Sequence, residues 1–189
     1  VAVYKGSSLF WAGHIIPDAS DLQDLENRVF TVSAACGLGT LKKIEYLNAL
    51  LKVGFNTLDC GSFVSEKSIP QMADTKLIIP HLKLEDTDTK LSVIVANTRG
   101  AEEATEFDEI TYIGYPFSIS ETFQQRNTNC SIEESLMRVE EIMNICECSG
   151  QTFVCYISMA FGNPYGDFYD AALVEHWVDR LLEIGVNKF

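Results

Sequence analysis

The sequence predicts an α/β fold built around a parallel sheet, and three observations carry that reading. From about Phe30 onward, short β-type runs alternate with longer helix-type segments. Leu91-Ser-Val-Ile-Val95 is almost wholly apolar, as a strand covered on both faces requires. The helix-type segments also carry their own boundaries: Ser131 with Glu134 opens one, and Gly54 and Gly185 stop two others.

Each element follows from local pattern. Phe30-Thr-Val-Ser33 reads as the first strand. Leu41 to Val53 reads as a helix with Leu41, Ile44, Leu47 and Leu51 on one face. Asn56 to Asp59 is the second strand, followed by a loop and a short helix from Pro70 to Ile79. Leu91 to Val95 is the third, and a helical turn near Ala101 to Ala104 leads into the fourth, Glu109 to Gly114. Ser131-Ile-Glu-Glu134 is a capping box, in which hydroxyl and carboxylate satisfy free N–H groups. Ile132, Leu136, Val139, Met143 and Cys146 then recur at helical spacing. Thr152 to Tyr156 is the fifth strand. Ala171 to Ile184 is a helix with Leu173, Trp177 and Leu181 on one face, and Val186 to Phe189 begins a sixth strand.

Five β–α units fit either a doubly wound sheet or a (β/α)₈ barrel. Cys36-Gly-Leu-Gly39 is followed by Thr40, which leaves the G-x-G-x-x-G dinucleotide fingerprint incomplete. A closed barrel needs eight units and about 200–250 residues. Residues 1–29 do not fit the alternation and read as an irregular N-terminal arm, with residues 30–189 as the main domain.

Composition narrows the partners. Hydrophobic residues at 47% and charged residues at 22% exclude a disordered chain. The net charge of −13 repels a phosphate backbone, so no nucleic-acid partner is expected. None of the six cysteines sits in a C-x-x-C pair, and no H-x-H or H-x-x-x-H completes a zinc site. Reduced core thiols are expected. No apolar run approaches the roughly 20 residues of a membrane span, so no membrane partner is expected. The expected setting is intracellular, in the cytoplasm or an organelle.

Three stretches carry a family resemblance. Gly61-Ser-Phe-Val-Ser-Glu-Lys67 continues to Ile69-Pro-Gln-Met-Ala-Asp74 after the second strand. Ser118-Ile-Ser-Glu-Thr-Phe123 runs through Arg126-Asn-Thr-Asn-Cys-Ser-Ile-Glu-Glu-Ser135 after the fourth, and Tyr156-Ile-Ser-Met-Ala-Phe-Gly-Asn-Pro-Tyr-Gly166 follows the fifth. In this order they resemble 3-hydroxy-3-methylglutaryl-CoA (HMG-CoA) lyases, within the wider pyruvate-carboxyltransferase barrel group. The middle stretch separates these lyases from isopropylmalate and homocitrate synthases. The resemblance implies a partial (β/α)₈ TIM barrel of about five units plus the start of a sixth strand. It also implies carbon–carbon cleavage of an acyl-CoA substrate to acetyl-CoA and acetoacetate.

By that resemblance Asp59, Ser62, Asn97 and Ser158 are substrate-pocket candidates. Three of them also have a structural alternative. Ser62 can bond a neighbouring backbone group, Ser158 can cap a turn, and Asp59 can pair with a lysine. Glu121 and Arg126 are expected to form an ion pair that shapes the fourth loop. An anionic CoA on so acidic a chain needs locally placed Lys, Arg or helix N-termini.

The departures from the family concern its chemistry. The family opens its barrel with Pro-Arg-Asp-Gly-Leu-Gln, in which Arg polarises the carbonyl and Asp ligates a divalent cation, magnesium or manganese. Here the stretch reads Ala34-Ala-Cys-Gly-Leu-Gly39. Ala35 carries no charge, and a thiol at Cys36 is a poor ligand for a hard cation that prefers oxygen. The family's metal-binding histidine pair and mobile catalytic cysteine come later than Phe189. His14, His81 and His176 are isolated. The cation is therefore not expected on this chain. The alternative to a lyase is a catalytically inactive fragment or degenerate paralogue, acting at most as a binding or assembly partner. Self-association through open sheet edges is expected.

Overall fold

The computed structural model describes the backbone of residues 2–5 and 8–12 and the whole of residues 39–189. The expected strand Phe30 to Ser33, the Ala34 to Leu38 part of the first-strand motif and the 29/30 boundary lie outside the described residues. Within the arm read as irregular, β1 (Ala2–Lys5) and β2 (Ser8–Ala12) pair antiparallel as a hairpin.

The rest alternates as the sequence predicts. The order is α1 (Thr40–Leu51), β3 (Thr57–Ser62), α2 (Thr75–Ile78), β4 (Lys90–Ile94), α3 (Thr98–Thr105), β5 (Ile110–Ser118), α4 (Glu121–Thr128), α5 (Ile132–Ser149), β6 (Thr152–Ser158) and α6 (Ala171–Glu183). Short 3₁₀ turns at Pro70–Met72 and Ile79–His81 flank α2, splitting the expected single helix. The four strands of the main sheet are all parallel and lie in sequence order, β3-β4-β5-β6. A doubly wound sheet reverses its strand order at a switch point. This one does not, and it has the strand order of a barrel arc.

The helices pack on one face of that arc. Leu58, Leu91, Val93, Ile113, Tyr115, Phe117, Phe153 and Cys155 are buried beneath them with Leu136, Val139, Ile142 and Leu181. In α1 Leu47 and Leu51 are buried and Ile44 packs partly buried against the core, so of the expected four-residue face only Leu41, 76% exposed, departs. Leu41 falls in the first turn, where the described residues offer it no cover.

Helix boundaries follow their caps. The Ser131 hydroxyl accepts from Glu134 N–H (3.1 Å), and Glu134 Oε2 accepts from Ser131 N–H (2.7 Å), which completes the predicted box. Gly150 ends α5 at φ +84°, a left-handed conformation that glycine adopts without steric cost. Pro116, which cannot donate to a ladder, sits beyond the last pairing of β5 with β4 at Gly114. Val186 to Phe189 form no assigned strand. Even so, Cys155 N–H donates to the Lys188 carbonyl (3.0 Å), so the segment lies along the outer edge of β6.

Candidate functional site

Strands alternate their side chains with period two, so Asp59 and Ser62, three residues apart, should face opposite ways. They do not, because β3 carries a bulge. Asp59 pairs with Ser92 and Gly61 with Val93, which leaves Cys60 as the extra residue. Leu91 and Val93 are buried under the helices, so Gly61 turns outward, while Asp59 and Ser62 share the opposite, inner face. Gly61 is required there: a Cβ would lie 2.5 Å from Thr75 Cγ2 on α2. The bulge puts two of the four pocket candidates on one surface.

A second bulge, between Leu91 and Ser92 in the β4–β5 register, sets the inner face of β5 as Tyr112, Gly114, Pro116 and Ser118. These pair with Thr152, Val154, Tyr156 and Ser158 of β6, so Ser158 lies on the same inner face as Asp59 and Ser62. Asn97 follows β4 and caps α3, accepting from Gly100 N–H (2.9 Å). Gly100 brings α3 close to the β3 loop, since a Cβ there would lie 2.7 Å from the Phe63 carbonyl oxygen.

The structural alternatives have mixed outcomes. Ser62 Oγ accepts from Val64 N–H (3.0 Å), and Asn97 Oδ1 is engaged as a cap. The Ser158 carbonyl accepts from Ser118 Oγ (3.1 Å) and Ile119 N–H (3.2 Å), which fixes the end of β6 to the end of β5. Asp59 meets no lysine in an ion pair among the described residues. Burial pushes the Tyr156 phenol above its usual value, with the Asp59 carboxylate adding to the rise.

Glu121 and Arg126 do not pair. Five residues apart on a helix of 3.6 per turn, they point to different sides. Glu121 Oε2 accepts from Ile132 N–H (3.1 Å), and Arg126 stacks over Tyr165 at 4.8 Å from the ring centroid.

Two motif loops meet at the strand C-terminal ends. Asp167, just past the third stretch, accepts from Ser120 Oγ (2.5 Å), Thr122 N–H (3.1 Å) and Thr122 Oγ1 (3.0 Å). The Ser120 and Thr122 hydrogen bonds hold its carboxyl below the usual carboxylate range. Asn163 braces the turn, accepting from Tyr165 and Asp167 N–H, both at 3.0 Å. Beside the first stretch, Ser62, Ser65, Lys76, Arg99 and Glu103 line a groove. Glu103 bridges Lys76 (3.0 Å) and Arg99 (2.8 Å) there.

The described cysteines are all free. Burial pushes the thiols of Cys60, Cys146 and Cys155 up to about 12, so these remain protonated core groups. Cys130 differs. It is buried in a polar cluster with Thr128 Oγ1 (3.1 Å), Ser135 Oγ (3.1 Å) and Arg138 Nη1 (3.3 Å). Burial raises its pKa, but those hydrogen bonds and the Arg138 charge outweigh that and leave the thiol below its ordinary value.

No group of three or more His, Cys, Asp or Glu side chains among the described residues could hold a metal ion. A hard cation requires several oxygen ligands. On the inner face of the four strands Asp59 is the single carboxylate, so the described residues do not fit the family's cation. Among the described residues no helix is long and apolar enough to cross a membrane.

A parallel arc in barrel order, with its motif loops joined at the strand C-terminal ends where barrel sites are built, is the architecture of a partial (β/α) barrel. No family model matches the chain. It is 34% identical over 145 residues to the cytoplasmic 3-hydroxy-3-methylglutaryl-CoA lyase of Danio rerio, covering 76% of this chain and 42% of that protein. The HMG-CoA lyase of Brucella melitensis superposes with a TM-score of 0.72 at 29% identity, over 78% of this chain and 52% of that one. An HMG-CoA lyase from Acinetobacter baumannii, solved in complex with coenzyme A and 3-methylmalate, matches at TM-score 0.74 and 25% identity, over 80% and 49%. The chain is an HMG-CoA lyase-like barrel protein, and it spans about half the length of the relatives it matches.

The sequence reading missed Tyr156, Ser92, Gly114 and Asp167. Tyr156 opens the third stretch and was available as a signal. Gly114 leaves room for the Tyr156 ring of the adjacent strand, a contact that no local pattern encodes.

Proposed function

We propose that this chain binds an acyl-CoA thioester of the HMG-CoA type at the C-terminal end of its sheet and does not cleave it. The observation that carries the reading is the β3 bulge, which turns Asp59 and Ser62 onto the inner face that Ser158 shares. Bulges beside active sites commonly re-aim side chains in this way. The Acinetobacter relative's complex with coenzyme A supports the ligand class. The groove beside the first motif loop carries Lys76 and Arg99 as hydrogen-bond donors, their charges balanced by Glu66 and Glu103.

The loss of cleavage rests on Ala35 and Cys36, which stand where the resemblance places Arg and Asp. An alanine methyl polarises no carbonyl, and a thiol is a poor substitute for a carboxylate toward a hard cation.

Calorimetric titration of the chain with HMG-CoA tests the binding. A saturable heat that weakens in Asp59→Asn and Ser158→Ala is the expected result. Absence of heat, or full affinity in both variants, rejects the pocket.

A further inference from the structure

Among the described residues two non-glycines adopt a left-handed backbone, Asn129 and Met159. Asn129 ends α4, a residue type and a place that tolerate it. Met159, at φ +64°, has neither reason, and it directly follows the pocket candidate Ser158. Such a conformation persists only where the surroundings over-determine it.

A closed ring of contacts does so. Before Met159, the Ser158 carbonyl accepts from Ser118 Oγ (3.1 Å) and Ile119 N–H (3.2 Å). At Met159 itself, the carbonyl accepts from Gly162 N–H (3.3 Å) and the side chain packs against the core. Asn163 Nδ2 then donates to the Asp167 carbonyl (2.8 Å), and the Asp167 carboxylate takes the Ser120 hydroxyl (2.5 Å). Ser120 N–H donates to Ser118 Oγ (3.0 Å), which leads back to Ser158. Ser118 and Ser120 are buried, so water does not compete for these bonds. Asp167 is the one charged member of the ring, and through it the loop after β6 is fastened to the loop after β5.

We propose that Asp167 is a positioning residue for Ser158: its latch holds the left-handed turn at Met159, and with it the end of β6 that carries Ser158 on the inner face. The inference deepens the acyl-thioester reading and rests on it. Ser158 serves the acyl end of the thioester, so the latch governs affinity for HMG-CoA and not for CoA.

The test uses the full chain with Asp167→Ala, Asp167→Asn, Met159→Gly and Ser158→Ala. The one-bond Cα–Hα coupling of Met159 reports the sign of φ by NMR, its resonance being assigned by its loss in Met159→Gly. The parent should show the value of a positive φ, and Asp167→Ala should move it toward that of a negative one. An unchanged coupling overturns the hold of the latch on the turn.

Calorimetry supplies the second readout. HMG-CoA affinity should drop about tenfold in Asp167→Ala, with CoA affinity unchanged. Asp167→Asn keeps one acceptor oxygen and should lose less; it carries the same comparison if Asp167→Ala does not fold. In a Ser158→Ala background, Asp167→Ala should add nothing. In a Met159→Gly background it should cost less, because glycine takes the left-handed turn without a latch. Equal losses for HMG-CoA and CoA, or the full loss in either background, mean a structural role only and overturn the proposal. A parent chain that binds no thioester removes the pocket, and the positioning role with it. A parent that binds, beside an Asp167→Ala chain that binds equally, removes the role alone.

Discussion

The Ser120 hydroxyl donates to the Asp167 carboxylate over 2.5 Å, joining the loop after β5 to the loop after β6. Asp167→Ala should free both loops, and the Thr122 amide, which donates to the same carboxylate, should lose its hydrogen-exchange protection. The sign with pH follows from the depressed carboxyl. Its contribution is complete above the unfolded carboxylate pKa and is lost as pH falls through the lower folded value. Protection of Thr122 in the parent should therefore persist through neutral pH and disappear only in strong acid. Equal protection in Asp167→Ala at neutral pH would show that the latch holds nothing.

The cap of α5 offers a stability measurement. Ser131→Ala removes an acceptor for the Glu134 N–H and half of the capping box. The cost should be about 0.5–2 kcal/mol. A urea midpoint that does not move would contradict this.

The Cys130 cluster is buried, and removing one member leaves others without partners. Tyr115, fully buried, bonds Ser135 Oγ at 3.0 Å, and Gln124 Nε2 lies 3.4 Å from its hydroxyl. Tyr115→Phe should cost about 1–3 kcal/mol, the range for an unsatisfied buried polar group. Denaturant titration measures it, and a neutral result would mean that the cluster rearranges freely.

Sheet edges give a prediction about assembly. Among the described residues β3 has a partner strand on one side only. Unpaired edges invite pairing with another chain. Light scattering of the purified protein should report a mass above the 21.1 kDa of one chain. A sharp monomeric mass would refute edge pairing.

Much of the fold was legible because it is local. Ser131 and Glu134 are three residues apart, and Leu91 to Val95 announce a doubly covered strand by themselves. Alternation alone left barrel and doubly wound sheet open, and strand order, a non-local property, separated them. The candidate site was legible as loops and not as geometry. Asp59 and Ser62 share a face only because Cys60 is a bulge residue, and the bulge depends on pairing with β4. Leu41 failed for a related reason: helical spacing identifies a face but not what covers it. Glu121 and Arg126 have the right charges at the wrong helical angle.

Retention of an acyl-CoA pocket without cleavage has a direct chemical readout. It is tested most directly by measuring acetoacetate released from HMG-CoA by the unmodified chain with magnesium or manganese, in a coupled assay at saturating thioester. No acetoacetate above the protein-free rate is expected, because Ala35 and Cys36 stand where the resemblance places the Arg that polarises the carbonyl and the Asp that ligates the cation. Metal-dependent acetoacetate release that scales with protein concentration would contradict it.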